Sequence, residues 1–194
     1  MGKKYLKGFS NFGYCIVTED TADNYATETD RKRIPSARSC SPTDNRTDFS
    51  IPGDDGVWDS GSEWKDTTSE ITFNELDLET LAELTGATVN EDGSIDEGVL
   101  DNAPTVAVNY SALRADGGYR LYCYFASVAT NIKVSHTTKS ENTDAQSYTI
   151  TFKHTPRKLD GVMRRTKDVA KGEPLDWLNT VNVVQKTENG EATE

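Results

Sequence analysis

The sequence predicts a mainly β domain with one α-helix near residues 77–85. Several short segments alternate polar and apolar residues with a period of two, which is typical of strands that have one solvated face. Only one segment combines a capping residue with apolar positions spaced by three and four. The length of 194 residues suits a single domain, which we place at residues 1–187, with N- and C-terminal arms. We expect residues 188–194 to form a disordered tail.

Six segments of the chain have the character of strands, most of them through alternation of polar and apolar residues. They occupy residues 14–18, 67–73, 105–110, 119–128, 132–136 and 148–152. In the second segment, Ile71 and Phe73 share one face of the strand, and Glu70 lies on the other. The turn signal Asp116–Gly118 separates the third and fourth segments and indicates that they form a hairpin. Residues 18–47 are polar and show no clear pattern.

The helix signal consists of a cap, an apolar face and a stop. Asp77 can cap the N-terminus of the helix, and Gly86 is placed to end it. The apolar face comprises Leu78, Leu81, Ala82 and Leu84. A weaker helical pattern covers residues 174–183, where Pro174 stands near the start. Its apolar positions are spaced by three and comprise Leu175, Leu178 and Val181.

The charge of the chain is negative and unevenly distributed. The 21 Lys and Arg residues face 32 Asp and Glu residues, so the net charge is −11. A protein that grips the phosphates of nucleic acid usually carries the opposite sign. Residues 41–116 hold 18 acidic and 3 basic residues, a net of −15, whereas residues 129–172 hold 9 basic and 4 acidic residues, a net of +5. These blocks form either two solvated faces or complementary surfaces that meet between copies.

The sequence contains no motif for a metal, a cofactor or catalysis. Residues 90–96 resemble the middle of a calcium-binding loop, but Thr88 and Val99 occupy the positions where such a loop needs carboxylates. We therefore interpret the segment as a turn at Asp92-Gly93. The two histidines belong to no metal-binding pattern, and no nucleophile motif or phosphate-binding loop is present. We predict a protein that is not an enzyme and has no cofactor.

The sequence also bears on the cellular compartment. No apolar run approaches the roughly 20 residues that cross a bilayer, and the basic N-terminus lacks the apolar core of a signal peptide. We therefore expect no contact with a membrane. Three cysteines (Cys15, Cys40 and Cys123) are an odd number without CxxC spacing, so we interpret them as reduced thiols in a cytosolic product.

Two tryptophans flank a polar, turn-rich segment. Trp58 and Trp64 lie on either side of residues 59–63, and the turn at Asp54-Asp55 precedes them. Such side chains are costly to expose, so a partner surface can cover them. The alternative is that both pack on the sheet of their own subunit. We predict that Pro42–Glu63 reaches a neighbouring subunit or ring, with Trp58 as a candidate anchor.

The chain resembles a known family over residues 51–181, on pieces that occur in the family's order. These pieces are the acidic strand Asp54–Trp58, a Ser/Thr-rich strand ending in Ile71–Leu76, the helix Leu78–Gly86, the strand Val106–Val108, the aromatic strand Tyr119–Tyr124, the strand Tyr148–Phe152, and an Arg/Lys-rich stretch before Leu175–Leu178. In these pieces the chain is similar to the major tail protein, or tail tube protein, of long non-contractile-tailed bacteriophages. Residues 19–47 are longer and more polar than the early part of that family.

The resemblance implies a tail-tube-type β-sandwich with one flanking α-helix and extended loops or arms. Family members form hexameric rings that stack into a tube. The tube surrounds a tape-measure protein and conducts the genome into the host during infection. The implied partners are other copies of the chain, the tape-measure protein, and the tail terminator and baseplate or distal tail proteins. The implied location is the virion tail, assembled in the cytoplasm of the host bacterium, with genomic DNA passing through without specific binding.

On this basis we assign two sets of residues and keep one alternative function. The expected assembly interface comprises Asp54, Asp55, Trp58, Trp64, Arg164, Arg165 and Trp177. Asp66 and Glu70 are expected on the wet face of the strand at residues 67–73, facing the lumen of the tube. The alternative is a soluble β-sandwich module that binds a carbohydrate or a host surface. Its aromatic platform would comprise Tyr122, Tyr124, Trp58 and Trp64.

Overall fold

The computed structural model describes residues 5–136 and 147–180. Its strands are β1 (Leu6–Asp20), β2 (Tyr25–Thr27), β3 (Lys32–Arg33), β4 (Ala37–Gly53), β5 (Gly56–Phe73), β6 (Thr88–Val89), β7 (Ile95–Asp96), β8 (Val106–Arg114), β9 (Tyr119–Val134), β10 (Tyr148–Thr155) and β11 (Arg164–Val169). Its helices are α1 (Leu78–Thr85) and α2 (Trp177–Thr180). The prediction of a mainly β fold is confirmed. The tail predicted at residues 188–194 lies outside the described residues.

Four of the six predicted strands correspond to single observed strands, namely β1, β5, β8 and β10. The prediction of separate strands at 119–128 and 132–136 is wrong, because β9 continues without interruption to Val134. A β-bulge opposite Thr151 and Phe152 lets the ladder continue past the polar interruption in β9. The stretch that shows no pattern in the sequence contains β2, β3 and much of β4.

Nine strands form one antiparallel sheet in the order β2-β1-β8-β9-β10-β5-β4, with β3 added on β1 and β11 added on β9. The predicted hairpin of β8 and β9 is present. The short strands β6 and β7 form a separate hairpin. Its turn lies at Asp92-Gly93, as predicted, and the Asp92 carboxylate accepts a hydrogen bond of 3.0 Å from the Ser94 N–H.

The sheet curls over its own core. Phe12 on β1 lies 5.4 Å from Phe73 on β5 and 6.3 Å from Phe152 on β10, measured between ring centroids. In a flat sheet, β1 and β5 would be separated by four strand spacings, roughly 19 Å. The two halves of the sheet therefore face each other as the layers of a sandwich, with the aromatic core between them.

The long strand β9 has a hydrophobic cluster on each side. Tyr124 faces the main core, while Cys123 and Phe125 point to the opposite side. On that side, β2 and the chain after β10 cover the strand with Tyr25 and Leu159. Part of the described chain after β10, including Leu159 and Trp177, thus packs on the outside of the sandwich.

Helix α1 has the predicted cap and stop. The Asp77 carboxylate accepts a hydrogen bond of 2.7 Å from the Thr80 N–H. Gly86 follows the helix with φ 79°, and its N–H donates to the Ala82 carbonyl. Three residues of the predicted apolar face, Leu81, Ala82 and Leu84, are buried. The fourth, Leu78 in the first turn, is 51% exposed, contrary to the prediction. The helix therefore covers part of the core that the sheet leaves open.

The second predicted helix is shorter than its pattern. Within the described residues it comprises only α2, and the predicted residues 181–183 lie outside them. Leu178 is buried against Leu121 and Val169. Neither helix that the structure describes is long and apolar enough to cross a membrane.

Strands β4 and β5 continue beyond the sandwich as a two-stranded hairpin arm, which we define as residues 45–65. The β4–β5 ladder continues to the pair Gly53 and Gly56, whereas β5 pairs with β10 only at residues 67–73. At about 3.3 Å per residue, the arm projects roughly 30 Å from the sandwich. Nearly all of its side chains are exposed.

Candidate assembly site

The end of the hairpin arm carries a row of exposed apolar side chains. We define residues 49–58 as the hairpin tip. Trp58 is 83% exposed, and Phe49, Ile51 and Val57 are exposed beside it. The predicted interface residues Asp54 and Asp55 form the turn at the end. An apolar strip with an acidic turn, held away from the body of the subunit, has the character of a contact surface.

Trp64, nearer the base of the arm, packs on its own subunit. Its Nε1 donates a hydrogen bond of 3.1 Å to the Thr67 hydroxyl. The guanidinium groups of Arg46 and Arg164 lie 5.7 and 5.0 Å from the centroid of its ring. The two tryptophans, which the sequence could not tell apart, thus have different environments: Trp64 is covered within the subunit, and Trp58 projects into solvent.

The basic pair of β11 is divided between the two faces of the strand. Arg164 lies 3.4 Å from the Asp44 carboxylate and donates a hydrogen bond of 3.2 Å to the Tyr124 hydroxyl. Arg165 instead stacks on Phe125, 5.4 Å from the ring centroid. Because neighbouring side chains of a strand point to opposite faces, these two arginines cannot belong to one surface.

The seven predicted interface residues therefore do not form a single patch. Asp54, Asp55 and Trp58 are at the hairpin tip, while Trp64 and Arg164 are at the base of the arm. Arg165 and Trp177 lie on the outside of β9, where Trp177 packs against the clusters that contain Cys123 and Leu121. The sequence suggested one interface from aromatic and charged residue types, whereas strand alternation and the length of the arm separate these residues in space.

An open groove lies between β1 and β4, where the two ends of the curled sheet approach each other. We call it the mouth groove; its volume is about 450 Å³. Its apolar lining includes Phe9, Tyr110 and Tyr122, and the rings of the two tyrosines stack at 5.0 Å. Its charged lining residues are Arg120 and Arg164. The groove is not predictable from the sequence, because one wall is β4, a strand without a recognisable pattern.

The outer face of the sandwich carries a ladder of hydroxyl groups. We call it the hydroxyl face. It comprises Ser39, Ser41 and Thr43 on β4, Thr68, Glu70 and Thr72 on β5, Thr149, Thr151 and Lys153 on β10, and Asn131 and Lys133 on β9. Glu70 is exposed, as expected, and its carboxylate lies 3.8 Å from Lys133 Nζ.

The expectation for Asp66 needs correction. The register places its side chain on the hydroxyl face beside Thr68, but the residue is only 7% exposed. Asn45 donates a hydrogen bond of 2.5 Å to its carboxylate, and Lys153 Nζ lies 3.4 Å away. The hydrogen bond from Asn45, assisted by Lys153, lowers the pKa of Asp66. These contacts shield the carboxylate from water and balance its negative charge, whereas the sequence predicts a carboxylate that is exposed to water.

The aromatic platform of the alternative function is not formed. Tyr124 is fully buried and Tyr122 is partly buried. Trp64 lies beneath two arginines, and Trp58 stands alone near the end of the arm. The four rings therefore present no shared surface on which a sugar could stack.

The interior of the sandwich contains one buried histidine. His154 lies between the hydroxyls of Ser69 and Ser127, at 2.5 and 2.7 Å, and stacks on Tyr124 with ring centroids 4.0 Å apart. Burial lowers its pKa from 6.5 to about 3. None of the three cysteines forms a disulfide. Within residues 5–136 and 147–180, no three His, Cys, Asp or Glu side chains gather as metal ligands.

Comparison with known proteins gives similarity in structure but not in sequence. No family model and no curated protein matches the chain. A chain of the PVC sheath–tube complex, an extracellular contractile injection system in its extended state, matches with a TM-score of 0.50 and 12% identity; the match covers 85% of this chain and 93% of that one. The anti-feeding prophage cap, which terminates a tube, matches with a TM-score of 0.47 and 9% identity, over 86% and 94% of the two chains.

The match to the sheath–tube complex concerns the fold. The chain has a tail-tube-type β fold, as the resemblance in sequence implies. The finer implication, a long non-contractile tail, does not follow from this match, because the matching structure comes from a contractile system.

Proposed function

We propose that this protein is a structural subunit that assembles with copies of itself into the tube of a phage tail or a related injection machine. The observation that carries the proposal is the hairpin arm. It projects an apolar tip, including Trp58, roughly 30 Å from the sandwich on a continuous ladder. Within the described chain nothing covers that tip, so it is open to contact with a second molecule.

The sheet also has an edge that favours assembly. In the residues that the structure describes, β4 pairs only with β5, so the other edge of a 17-residue strand is open. The strand contains Pro42 and Pro52. Proline has no N–H group to donate, and an edge strand tolerates this because no strand pairs with its outer side. An open edge of this length is an aggregation liability unless a neighbour pairs with it or covers it. Closure of several copies into a ring removes the liability.

The finer details of the proposal come from the resemblance in sequence. We propose hexameric rings that stack into a tube around a tape-measure protein, bounded by the tail terminator and the baseplate or distal tail proteins. The tube belongs to the virion tail of a long non-contractile-tailed phage and assembles in the cytoplasm of the host bacterium. Absence of a sheath protein from purified particles would support the non-contractile class, and its presence would assign the tube to a contractile one.

The hydroxyl face is the proposed wall of the lumen. Most of its residues are polar, although the partly buried Val128 lies opposite Lys153, and its charges form two close pairs, Glu70 with Lys133 and Asp66 with Lys153. A wall of this kind offers little apolar surface and no excess of one charge to a passing polymer. Asp66 pairs with Lys153, so it adds no unpaired negative charge to this wall.

The proposal is tested by electron microscopy and sedimentation of the purified full-length chain over a range of concentrations. We expect rings or tubes for the wild type. The variant Trp58→Ala should remain folded, because its ring is 83% exposed, but its assembly should weaken by about 30-fold if the residue is an interface anchor of about 2 kcal/mol. Exposed Val99 in the loop before β8 offers a matched control, Val99→Ala, which should assemble normally. A wild-type chain that stays monomeric at high concentration would overturn the proposal.

A further inference from the structure

We infer that the mouth groove is the receptor for the hairpin tip of a second copy of this chain. The inference rests on the proposed function in one respect, which is that the partner is another copy. It goes further in naming the two surfaces that meet: residues 49–58 of one subunit and the groove between β1 and β4 of the next.

The groove suits an aromatic anchor in size and in lining. Its volume of about 450 Å³ falls within the range of roughly 300–1,000 Å³ that is typical of ligand sites. Phe9, Tyr110 and Tyr122 supply ring faces, and Tyr110 and Tyr122 are already stacked on each other at 5.0 Å. An indole ring such as that of Trp58 can add to this stack with offset or edge-on geometry.

The charges of the two surfaces are complementary. Both charged residues that line the groove are arginines, and both charged residues of the turn, Asp54 and Asp55, are acidic. Arg120 already binds Asp168 in a bidentate pair of 2.7 and 2.9 Å, and Arg164 pairs with Asp44. The side chains of Arg120 and Arg164 nevertheless remain 35% and 27% exposed, so each retains an accessible surface.

Within the subunit, one residue that lines the groove already stacks on an indole ring. Arg164 lies over Trp64 at 5.0 Å, and Arg46 approaches the same ring at 5.7 Å. Arginine stacked on tryptophan is a favourable cation–π arrangement. A second indole, from Trp58 of another copy, would meet the same guanidinium on the side that faces the groove.

The tip of a subunit cannot reach the groove of the same subunit. Pro42 lines the groove and begins the stretch of β4 that continues to Gly53 at the end of the arm. At about 3.3 Å per residue, this stretch holds the tip roughly 35 Å from the groove. The contact is therefore between copies. Because tip and groove are different surfaces, each copy can both donate and accept, so the contact propagates from copy to copy without closing on a pair.

A crosslinking experiment between two full-length variants tests the inference. Val57→Cys places a thiol beside Trp58, and Thr166→Cys places one in the lining of the groove. Both variants carry Cys40→Ser, because Cys40 also lines the groove, and each has a different tag. Mixed and treated with a short bismaleimide linker, they should give a product that carries both tags. Thr151→Cys on the hydroxyl face, mixed with Val57→Cys, is the matched control and should give little product.

A second variant shows whether the crosslink depends on the anchor. Adding Trp58→Ala to the Val57→Cys chain should reduce the yield with Thr166→Cys by about 30-fold, if the anchor contributes about 2 kcal/mol. Equal yields at positions 151 and 166, or assemblies that form without a crosslink at 166, would overturn the docking while leaving the tube function intact. Absence of any association between wild-type copies would overturn both.

Discussion

His154 is a buried polar residue whose two hydrogen-bond partners are both serine hydroxyls. A hydroxyl can donate or accept, so Ser69 and Ser127 together satisfy a neutral imidazole in either tautomer. In the part of the chain that the structure describes, no acidic group hydrogen-bonds to the ring to balance a positive charge. The nearby charges are Arg164, which disfavours the imidazolium, and Asp44, which favours it more weakly. The site therefore holds histidine in its neutral form.

This arrangement predicts a loss of stability in acid. The pKa of His154 is about 3 in the folded protein and about 6.5 when unfolded. Below pH 6.5 the unfolded chain binds a proton that the folded chain excludes, so stability falls as the pH falls toward 3. At pH 4.5 this single group should cost about 2–3 kcal/mol relative to pH 7. Urea denaturation at a series of pH values measures the loss.

The variant His154→Asn isolates the contribution, because an amide does not titrate. It should be less stable at pH 7, but its stability should fall less between pH 6.5 and 4.5 than that of the wild type. Asp66 and Asp77 have pKa values that hydrogen bonds lower. Their protonation in acid therefore destabilises the wild type and the variant equally. Parallel curves for wild type and His154→Asn would contradict the prediction.

At the scale of elements, the end of helix α1 depends on a glycine for two separate reasons. Gly86 has φ 79°, a left-handed conformation, and a Cβ at this position would collide with the carbonyl oxygen of Asn102. Gly161 has a similar φ of 70°, but nothing lies within 4 Å of the place where its Cβ would be. The pair separates the cost of backbone conformation from the cost of the collision.

We predict that Gly86→Ala destabilises the protein clearly more than Gly161→Ala. Each substitution should cost about 1 kcal/mol for the left-handed conformation. Gly86→Ala should cost about 1–3 kcal/mol more, because a backbone carbonyl cannot move aside as a flexible side chain can. The free energy of unfolding in urea measures both variants. Equal losses would mean that the loop carrying Asn102 shifts without cost.

The helix and the hairpin arm show which elements can be predicted from the sequence. Every signal of α1 is local: Asp77, the apolar spacing and Gly86 all lie within ten residues and act on each other directly. The β4 strand has no such signal, because its side chains are exposed on both faces and alternation of polarity needs one buried face. Alternation of polarity identifies its partner β5 only where it enters the sandwich, at residues 67–73. The resemblance also suggested a strand at Asp54–Trp58, but Asp54 and Asp55 form the turn and β5 begins at Gly56.

The candidate site was predictable in part for the same reason. The sequence alone shows that Trp58 stands beside turn residues. The structure places it, largely exposed, near the end of the arm. The cover over Asp66 depends on Lys153, which is distant in the chain and adjacent only through the β5–β10 register. The mouth groove likewise combines β1, β4, β8, β9 and β11, and no local pattern reports such a combination.

At the scale of the whole molecule, the acidic and basic blocks of the sequence meet within one subunit. Among the described residues, three ion pairs join an acidic residue of 41–116 to a basic residue of 129–172. They are Asp44 with Arg164, Asp66 with Lys153, and Glu70 with Lys133. The interpretation of the blocks as separate faces is thus only partly adequate, because β5 and β10 are neighbours in the sheet and bring the opposite charges together. The excess of negative charge that remains lies elsewhere, including the hairpin tip.

This distribution makes a prediction about DNA, given the proposed tube. The hydroxyl face pairs its charges and has no exposed aromatic ring, so assembled wild-type protein should not bind short duplex DNA even at low salt, where electrostatic attraction is least screened.

Glu70→Lys removes a carboxylate that faces Lys133 and adds a second cation. Its assemblies should bind DNA, with an affinity that falls linearly on a logarithmic salt scale. Glu91→Lys, at the exposed β6–β7 turn, changes the net charge equally and is the control that should not bind. Equal binding by both variants would show that net charge, and not the hydroxyl face, governs contact with DNA. Salt-dependent binding by the wild type, abolished when Arg164 and Arg165 are neutralised, would instead make β11 the DNA contact.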